Sequence, residues 1–529
     1  MWVVLLVLAI GALLVQRALY HASYLSQSPF ARATFSDGQI YEEAARDILA
    51  HPPLGSAPFF LQGAYAYLLA LGLWPRGELL DALLLQLGLS IVALVSFQRC
   101  ALGFFGARGA CVAGLALLSN AALAFYENKF LSAALGVACN CAVVAAYGGV
   151  RQRPSGLRAA LLGACSGLSV LARPNLVLAL PFSAWALWRA APDARRARQL
   201  LGAGALGCML SLAPLAARNL IVTGRASVFP SHGGGIPFYI GNHPTSTGLW
   251  NNAGGLLSGQ VLLERQELAA RLGLSASAPD LDQRIGDALY ARALGFMREQ
   301  PLAWLQLEAT KLWYALGNQE LVHDYDLLGE RELLGERFPL RVPFGVVLGL
   351  GALGLLALAR GAPGERELAV VLAGQLCAVL AANLLWFTSA QNRLPLLVPL
   401  SLAAAPGLSV LLRGWRGWRW ALAAISCTLL CLQAFVPRKP ERRPSAAHYY
   451  NLANAEESLG QNDAALAHYT RAAERRPQEP MFWFRTAYLA RKLGKTDVAR
   501  AALGKLESMK LEGPMARVVR EERALLGPP

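Results

Sequence analysis

The sequence predicts an all-α, polytopic membrane helix bundle followed by a small soluble helical domain. Three observations carry this reading. Of the 529 residues, 55% are hydrophobic and only 16% charged, and the mean hydropathy is +0.37, which excludes an ordinary soluble protein. Apolar runs of spanning length recur as far as Val436, and such runs match the thickness of a bilayer. Beyond that point the composition turns polar with a helical period.

The formal net charge is +15, but the arginines cluster between apolar runs. They therefore report membrane topology, and no nucleic-acid partner is expected. The nine cysteines lie in or beside apolar segments and the long polar regions hold none. Neither a disulfide framework nor a zinc site follows, and the Cys139-x-Cys141 pair reads as small buried residues.

The first run, Met1 to about Ala18, is long enough to cross and lacks a small-residue cleavage site, so it reads as a retained span. A polar first loop, 20–56, follows and holds an amphipathic helix from about Gly38 to Ala50. Further spans are expected near 78–97, 109–126, 131–150, 157–172, 175–188 and 200–218, several short and rich in Gly and Ala for close helix contact. A long polar loop, 223–339, interrupts the series. Four more spans are expected near 341–359, 367–387, 394–412 and 418–436.

The segment Ala57–Trp74 decides the topology, because counting it as a span inverts everything after it. If it does not cross, the basic residues Arg99, Arg108, Arg151, Arg153, Arg158, Arg189, Arg195, Arg196, Arg198, Arg360, Arg366, Arg413, Arg416 and Arg419 gather on one face. The opposite loops then keep Arg76, Lys129, Arg173 and Arg393. The positive-inside rule favours this arrangement. It gives about eleven spans, a cytoplasmic N-terminus in an inner membrane, and both long loops and the tail outside, with 57–74 juxtamembrane or re-entrant.

After the linker 437–445, residues 446–529 carry a repeat signal. Tyr449, Leu452, Ala453, Gly460, Ala465, Tyr469, Ala472 and Pro477 fall at the offsets of a tetratricopeptide repeat, and Trp483, Ala487, Gly494, Ala499 and Leu503 repeat that register. Two copies are fewer than such arrays need. The tail is therefore expected to pack on the membrane domain or to pair with another chain.

Four polar sites recur at the expected outer ends of spans: Asp37, Glu127 beside Lys129, Arg173, and Arg393 in Ser389-Ala390-Gln391-Asn392-Arg393-Leu394-Pro395. Acidic and basic groups together at a lipid–water boundary suit chemistry on a phosphate-linked lipid. Arginine grips phosphate, and a carboxylate can take a hydroxyl proton. Each site also has a plain structural reading. Ser36 with Gln39 forms a capping box that would make Asp37 a helix start, Glu127 with Lys129 could close a turn, and the arginines could snorkel. The stretch Ser231-His232-Gly233-Gly234-Gly235, running on to Asn242 and His243, lets backbone approach a ligand, with Asn242 a candidate contact. It matches no phosphate-binding motif. His232 and His243 lack acidic or cysteine partners at metal spacing, so no metal site is expected. The aromatic stretch Lys311-Leu312-Trp313-Tyr314 suits an interfacial helix end.

Taken in order, these features resemble the GT-C superfamily of polyprenyl-phosphate-sugar-dependent glycosyltransferases, in particular protein O-mannosyltransferases and lipid A aminoarabinose transferase. The similarity covers about residues 1–436. What carries it is a first span, a loop with Asp37 and Tyr41, then Pro52-Pro53-Leu54 before an aromatic helix with Phe59, Phe60, Tyr65 and Tyr67. Next come the turn with Glu127, the long loop, and a late span opening at Arg393-Leu394-Pro395. The resemblance implies an inverting transferase in which Asp37 is the catalytic acidic residue and Glu127 the second acidic position, where the family more often has Asp. It further implies that Tyr41 contacts substrate and that Arg393, then Arg173 and Lys129, bind the lipid phosphate. A divalent cation would suit such a site, although Asp37 and Glu127 alone are too few ligands to predict one. The expected partners are a polyprenyl-phosphate sugar donor, membrane lipid, and a protein acceptor or partner reached through the repeat tail. Two other classes fit the composition: a flippase for lipid-linked sugars, disfavoured by the lack of repeated halves, and a non-catalytic scaffold built on the tail.

Overall fold

The computed structural model describes residues 2–251, 265–278, 280–318, 320–321, 325–339, 342–412, 444–509, 511 and 513–527. The expected span 418–436 lies outside the described residues, as do Arg413, Arg416, Arg419, Cys427, Cys431 and most of the linker. The described residues form helices and no strands. They divide into two compact units. One comprises Met1–His21, Ser36–His323 and Pro339–Arg438, the other Ala22–Phe35, Asp324–Phe338 and Lys439–Pro529.

In chain order, the helices up to residue 223 are α1 (Trp2–Gln27), α2 (Asp37–Ala50), α3 (Gly63–Leu73), α4 (Leu79–Leu118), α5 (Ala121–Glu127), α6 (Ser132–Gln152), α7 (Gly156–Ala172), α8 (Leu180–Arg189) and α9 (Ala194–Thr223). The long loop adds α10 (Gly235–Gly241), α11 (Arg265–Arg271), α12 (Leu281–Glu299), α13 (Pro301–Leu316) and α14 (Leu327–Leu334). The chain continues through α15 (Phe344–Ala359), α16 (Pro363–Leu385), α17 (Ala390–Arg393) and α18 (Leu397–Leu412). Among the described residues, six stretches are long and apolar enough to cross a membrane: Val4–Gln27, Leu79–Leu118, Ser132–Gln152, Ala194–Thr223, Pro363–Leu385 and Ala390–Leu412. The helices Gly63–Leu73, Gly156–Ala172 and Phe344–Ala359 are apolar but shorter.

The spans expected at 78–97 and 109–126 fall on α4, which is two helices meeting at a kink, and the second of them ends at Leu118, before the Asn120 cap of α5. The departure from helix inside α4 is at Gly106, with φ 65° and ψ −174°, a conformation open to a residue without Cβ. The segment 57–74 yields the 11-residue helix α3, about 16 Å long at 1.5 Å per residue and short of the hydrocarbon thickness of about 30 Å.

Small residues let the helices approach one another. A Cβ on Gly163 would collide with the Gly204 carbonyl and one on Gly207 with that of Ala160, so α7 and α9 meet backbone to backbone. The same holds for α15 against α18, where Gly354 faces the Ala403 carbonyl and Gly407 that of Leu350. Such contact stabilises helix pairs in lipid, where the hydrophobic effect between helices is absent.

In the second unit, helices Ala446–Ser458, Asn462–Arg475, Pro480–Lys492 and Thr496–Glu507 form two hairpins. Each hairpin turns at a glycine with positive φ, Gly460 at 75° and Gly494 at 71°. Ala453, Ala465, Tyr469 and Ala499 share one core, and Val519 from Gly513–Leu526 packs with Ala487, Ala502, Leu503 and Leu506 in another. The first hairpin is also tied to 324–338. The Asp326 carboxylate accepts from Leu328 N–H at 2.9 Å and Gly329 N–H at 3.3 Å, capping α14, and from Ser445 N–H at 2.8 Å. The Tyr449 hydroxyl reaches the Glu332 carboxylate at 3.1 Å, and Arg471 pairs with the same carboxylate at 3.0 Å. From 22–35, Phe30 meets the His448 ring edge-on at 6.2 Å. Two hairpins alone bury little, and these two loop segments supply the missing cover.

Candidate active site

Helix α2 starts at Asp37, but not through the expected capping box. Ser36 sits at φ 51° and ψ −133° and makes no side-chain cap hydrogen bond, while Gln39 donates to Glu43 at 2.9 Å. The Ser36 carbonyl accepts the first helical N–H bonds, from Gln39 at 3.0 Å and Ile40 at 3.3 Å. Among the described residues Ser36 is the single non-glycine with positive φ. That conformation costs on the order of 1–3 kcal/mol and persists where surrounding structure imposes it, commonly at functional sites.

Asp37 and Tyr41 are four residues apart, so they share one face of α2. Tyr41 is buried, and its hydroxyl donates to the Gln62 side chain. Ser132, at the start of α6, donates to the same Gln62 oxygen at 3.4 Å. The Tyr65 ring stands edge-on to Tyr41 at 4.7 Å. Asp37 acts electrostatically on both Tyr41 and the guanidinium of Arg173.

Arg173 follows α7 directly and is held by α17. Nη1 donates to Asn392 Oδ1 at 3.1 Å and Nη2 to the Gln391 carbonyl at 3.4 Å. Its Nε is buried with no acceptor among the described residues. Gly136 leaves space for the side chain, since a Cβ there would lie 2.8 Å from Arg173 Cγ. Asp37, Tyr41 and Arg173, separated by up to 136 residues in sequence, therefore belong to one cluster of a carboxylate, a phenol and a guanidinium.

A polar path links this cluster to the second predicted acidic site. The Tyr65 hydroxyl donates to Gln86 Oε1 at 2.7 Å, and Gln86 Nε2 donates to the carbonyls of Glu127 at 2.7 Å and Lys129 at 2.9 Å. Glu127 is 3% exposed. Its carboxylate forms an ion pair with Arg17 and lies 3.3 Å from His21 Nε2. Lys129 is also buried, with its ammonium 4.4 Å from the Phe125 ring centroid.

The other two predicted site residues are engaged elsewhere. Arg393 donates to the carbonyls of Tyr314 at 3.3 Å and Gly317 at 2.5 Å and to Glu320 at 3.1 Å, tying α17 to the C-terminal end of α13. Asn242 accepts from Lys311 Nζ at 3.0 Å and Trp304 at 3.2 Å, and donates to the carbonyls of Phe238 and Leu385 at 2.9 and 2.7 Å. His232 accepts from Gly234 N–H at 3.0 Å, and burial pushes its pKa down to about 4. No group of three or more His, Cys, Asp or Glu side chains suited to a metal is found among the described residues.

Sequence reasoning missed Arg17, His21, Gln62, Gln86 and Ser132. Arg17 and Gln86 did leave a signal, each being a polar residue set into an apolar run, a position that is costly unless used.

No family model and no curated protein matches the chain. Solved structures do resemble it. The oligosaccharyltransferase of Archaeoglobus fulgidus in the apo form is 14% identical, with a TM-score of 0.42 over 84% of this chain and 56% of that one. ArnT from Cupriavidus metallidurans bound to undecaprenyl phosphate is 15% identical, with a TM-score of 0.32 over 77% of each chain. The chain spans about half the length of the archaeal enzyme.

Proposed function

We propose that the chain is an integral membrane glycosyltransferase that moves a hexosyl or pentosyl group from a polyprenyl-phosphate-linked donor to an extracytoplasmic acceptor, with inversion at the anomeric carbon. The observation that carries this reading is the joining of Asp37, Tyr41 and Arg173 in one cluster next to a strained turn. In the proposed step the acceptor oxygen bonds to the anomeric carbon and its proton passes to the Asp37 carboxylate. The bond from that carbon to the phosphate oxygen breaks, and the lipid phosphate leaves with the electron pair. Arg173 offsets the charge that develops on it. Arg173 is favoured over Arg393 for this role, because the Arg393 guanidinium is engaged by Tyr314, Gly317 and Glu320. Tyr41 orients the acceptor. The repeat-like tail serves an acceptor or partner protein.

Incubating the purified protein with a labelled lipid-phosphate sugar tests the reading. Transfer releases polyprenyl phosphate, whereas a flippase leaves the donor intact. Asp37→Asn keeps size and much of the hydrogen bonding while removing the base, and it should slow transfer at least about 100-fold. Wild-type rates in that variant would remove Asp37 from the chemistry.

A further inference from the structure

The ion-pair cluster between α1 and the C-terminal end of α5 contains more donors than acceptors. Arg17 is 5% exposed and Asn128 is fully buried. The Glu127 carboxylate takes the Arg17 ion pair, His21 Nε2 lies 3.3 Å from the same oxygen, and His21 Nδ1 is 2.9 Å from Asn128 Oδ1. Arg17 Nη1 and Asn128 Nδ2 are buried and meet no acceptor among the described residues. Leaving such groups unmatched in a low-dielectric setting is expensive, more so for a charged one. Two orphan donors, one cationic, in a cluster of four polar side chains define a site for an oxyanion.

We propose that Arg17 and Asn128 bind a phosphate oxyanion, and that Glu127 is not a second proton acceptor but a positioning residue that holds Arg17 and His21 in place. The proposal rests on the transferase reading for the source of that phosphate, the carrier lipid. The site's chemistry would equally accept free phosphate. A carboxylate already committed to a guanidinium is a poor base, and the same ion pair fixes the direction of the remaining N–H groups.

The test uses the full-length protein in nanodiscs with three probes: a labelled polyprenyl monophosphate, the matching phosphate-free polyprenol, and inorganic phosphate. Arg17→Gln combined with Glu127→Gln removes both charges together, so neither is left buried alone. This variant should weaken lipid-phosphate binding at least tenfold and leave polyprenol binding unchanged. Asn128→Ala should weaken lipid-phosphate binding several-fold. Equal binding by wild type and the double variant would overturn the site, as would polyprenol binding as tightly as its phosphate. Inorganic phosphate competing at the same concentration as the lipid would support an oxyanion site and overturn the lipid as its source. Asp37→Asn should keep lipid-phosphate binding while losing transfer. A wild type that binds lipid phosphate through Arg17 but never transfers sugar would sink the transferase reading and leave the site standing.

Discussion

Arg218 and Asp47 grip opposite edges of one turn. From α9, Arg218 donates to the carbonyls of Leu54 and Ala57, each at 2.6 Å, and stacks on Phe59 with its guanidinium carbon 3.8 Å from the ring centroid. From α2, Asp47 accepts from the N–H groups of Ser56 at 2.7 Å and Ala57 at 3.2 Å and from the Ser56 hydroxyl at 2.6 Å. Between them sits Gly55 at φ 69°, where a Cβ would lie 2.8 Å from Asp47 Oδ2 and 3.2 Å from Arg218 Nη2. This turn joins the helix bearing Asp37 and Tyr41 to the segment bearing Gln62 and Tyr65, so its shape sets the spacing of the candidate site.

Removing Arg218 should therefore act at a distance. Arg218→Ala leaves the part-buried carbonyls of Leu54 and Ala57 without this donor and is expected to cost about 1–2 kcal/mol. Arg218→Lys, lacking the planar fork, should recover part of it. Thermal unfolding in detergent measures the stability, and the transfer assay measures the accompanying loss of rate.

Acid should release the same turn. Burial alone would raise the Asp47 pKa, but the hydrogen bonds from the Ser56 side chain and N–H, Ala57 N–H and His51 outweigh it and hold the carboxyl below its ordinary value of 3.8. With the folded pKa depressed, the unfolded chain takes up the proton first as pH falls. The contribution is complete above the unfolded pKa and is lost as pH drops through the folded one. Melting temperatures of wild type and Asp47→Asn should differ at pH 7 and pH 5, and the gap should narrow as pH falls below 3.8.

The glycine contact between α15 and α18 admits no side chain. Gly354→Leu should separate the helices and abolish recovery of monodisperse protein, while substitution at Gly11, which has nothing within 4 Å, should be tolerated. Size-exclusion profiles after extraction distinguish the two.

Asp326 holds three backbone N–H groups from two distant stretches. Asp326→Ala is expected to cost about 1–2 kcal/mol through the lost cap and to expose the join at Ser445. Faster limited proteolysis near residue 444, with unchanged cleavage elsewhere, would register it.

Much of this was readable in the residues. Apolar run length marked the six stretches among the described residues that are long and apolar enough to cross a membrane, and the hairpins of the tail fall in the stretch that carried the 34-residue register. The helix carrying Asp37 began within one residue of where its amphipathic pattern begins. The position of the kink at Gly106 was not readable, because run length alone does not say where the backbone breaks between two apolar runs. At the candidate site, residue type pointed to Asp37, Tyr41 and Arg173, whose meeting depends on helix packing far apart in sequence. Arg393 shows the limit. An arginine at a span end looks the same whether it faces a ligand or the carbonyls of another helix.

The unit built from 22–35, 324–338 and the region after 439 also has a consequence in time. Its first strand of chain leaves the ribosome about 400 residues before its last partners, a delay of roughly 20–80 s at ordinary rates of synthesis. During that interval Phe30 and Phe35, buried in the finished protein, have no final partners, and the helices of the tail are made after most of the bundle. Folding of this unit is therefore a late event joining distant stretches, the kind of contact that is slow to form. Interrupted synthesis or a truncated tail should leave its early segment exposed to chaperones and proteases.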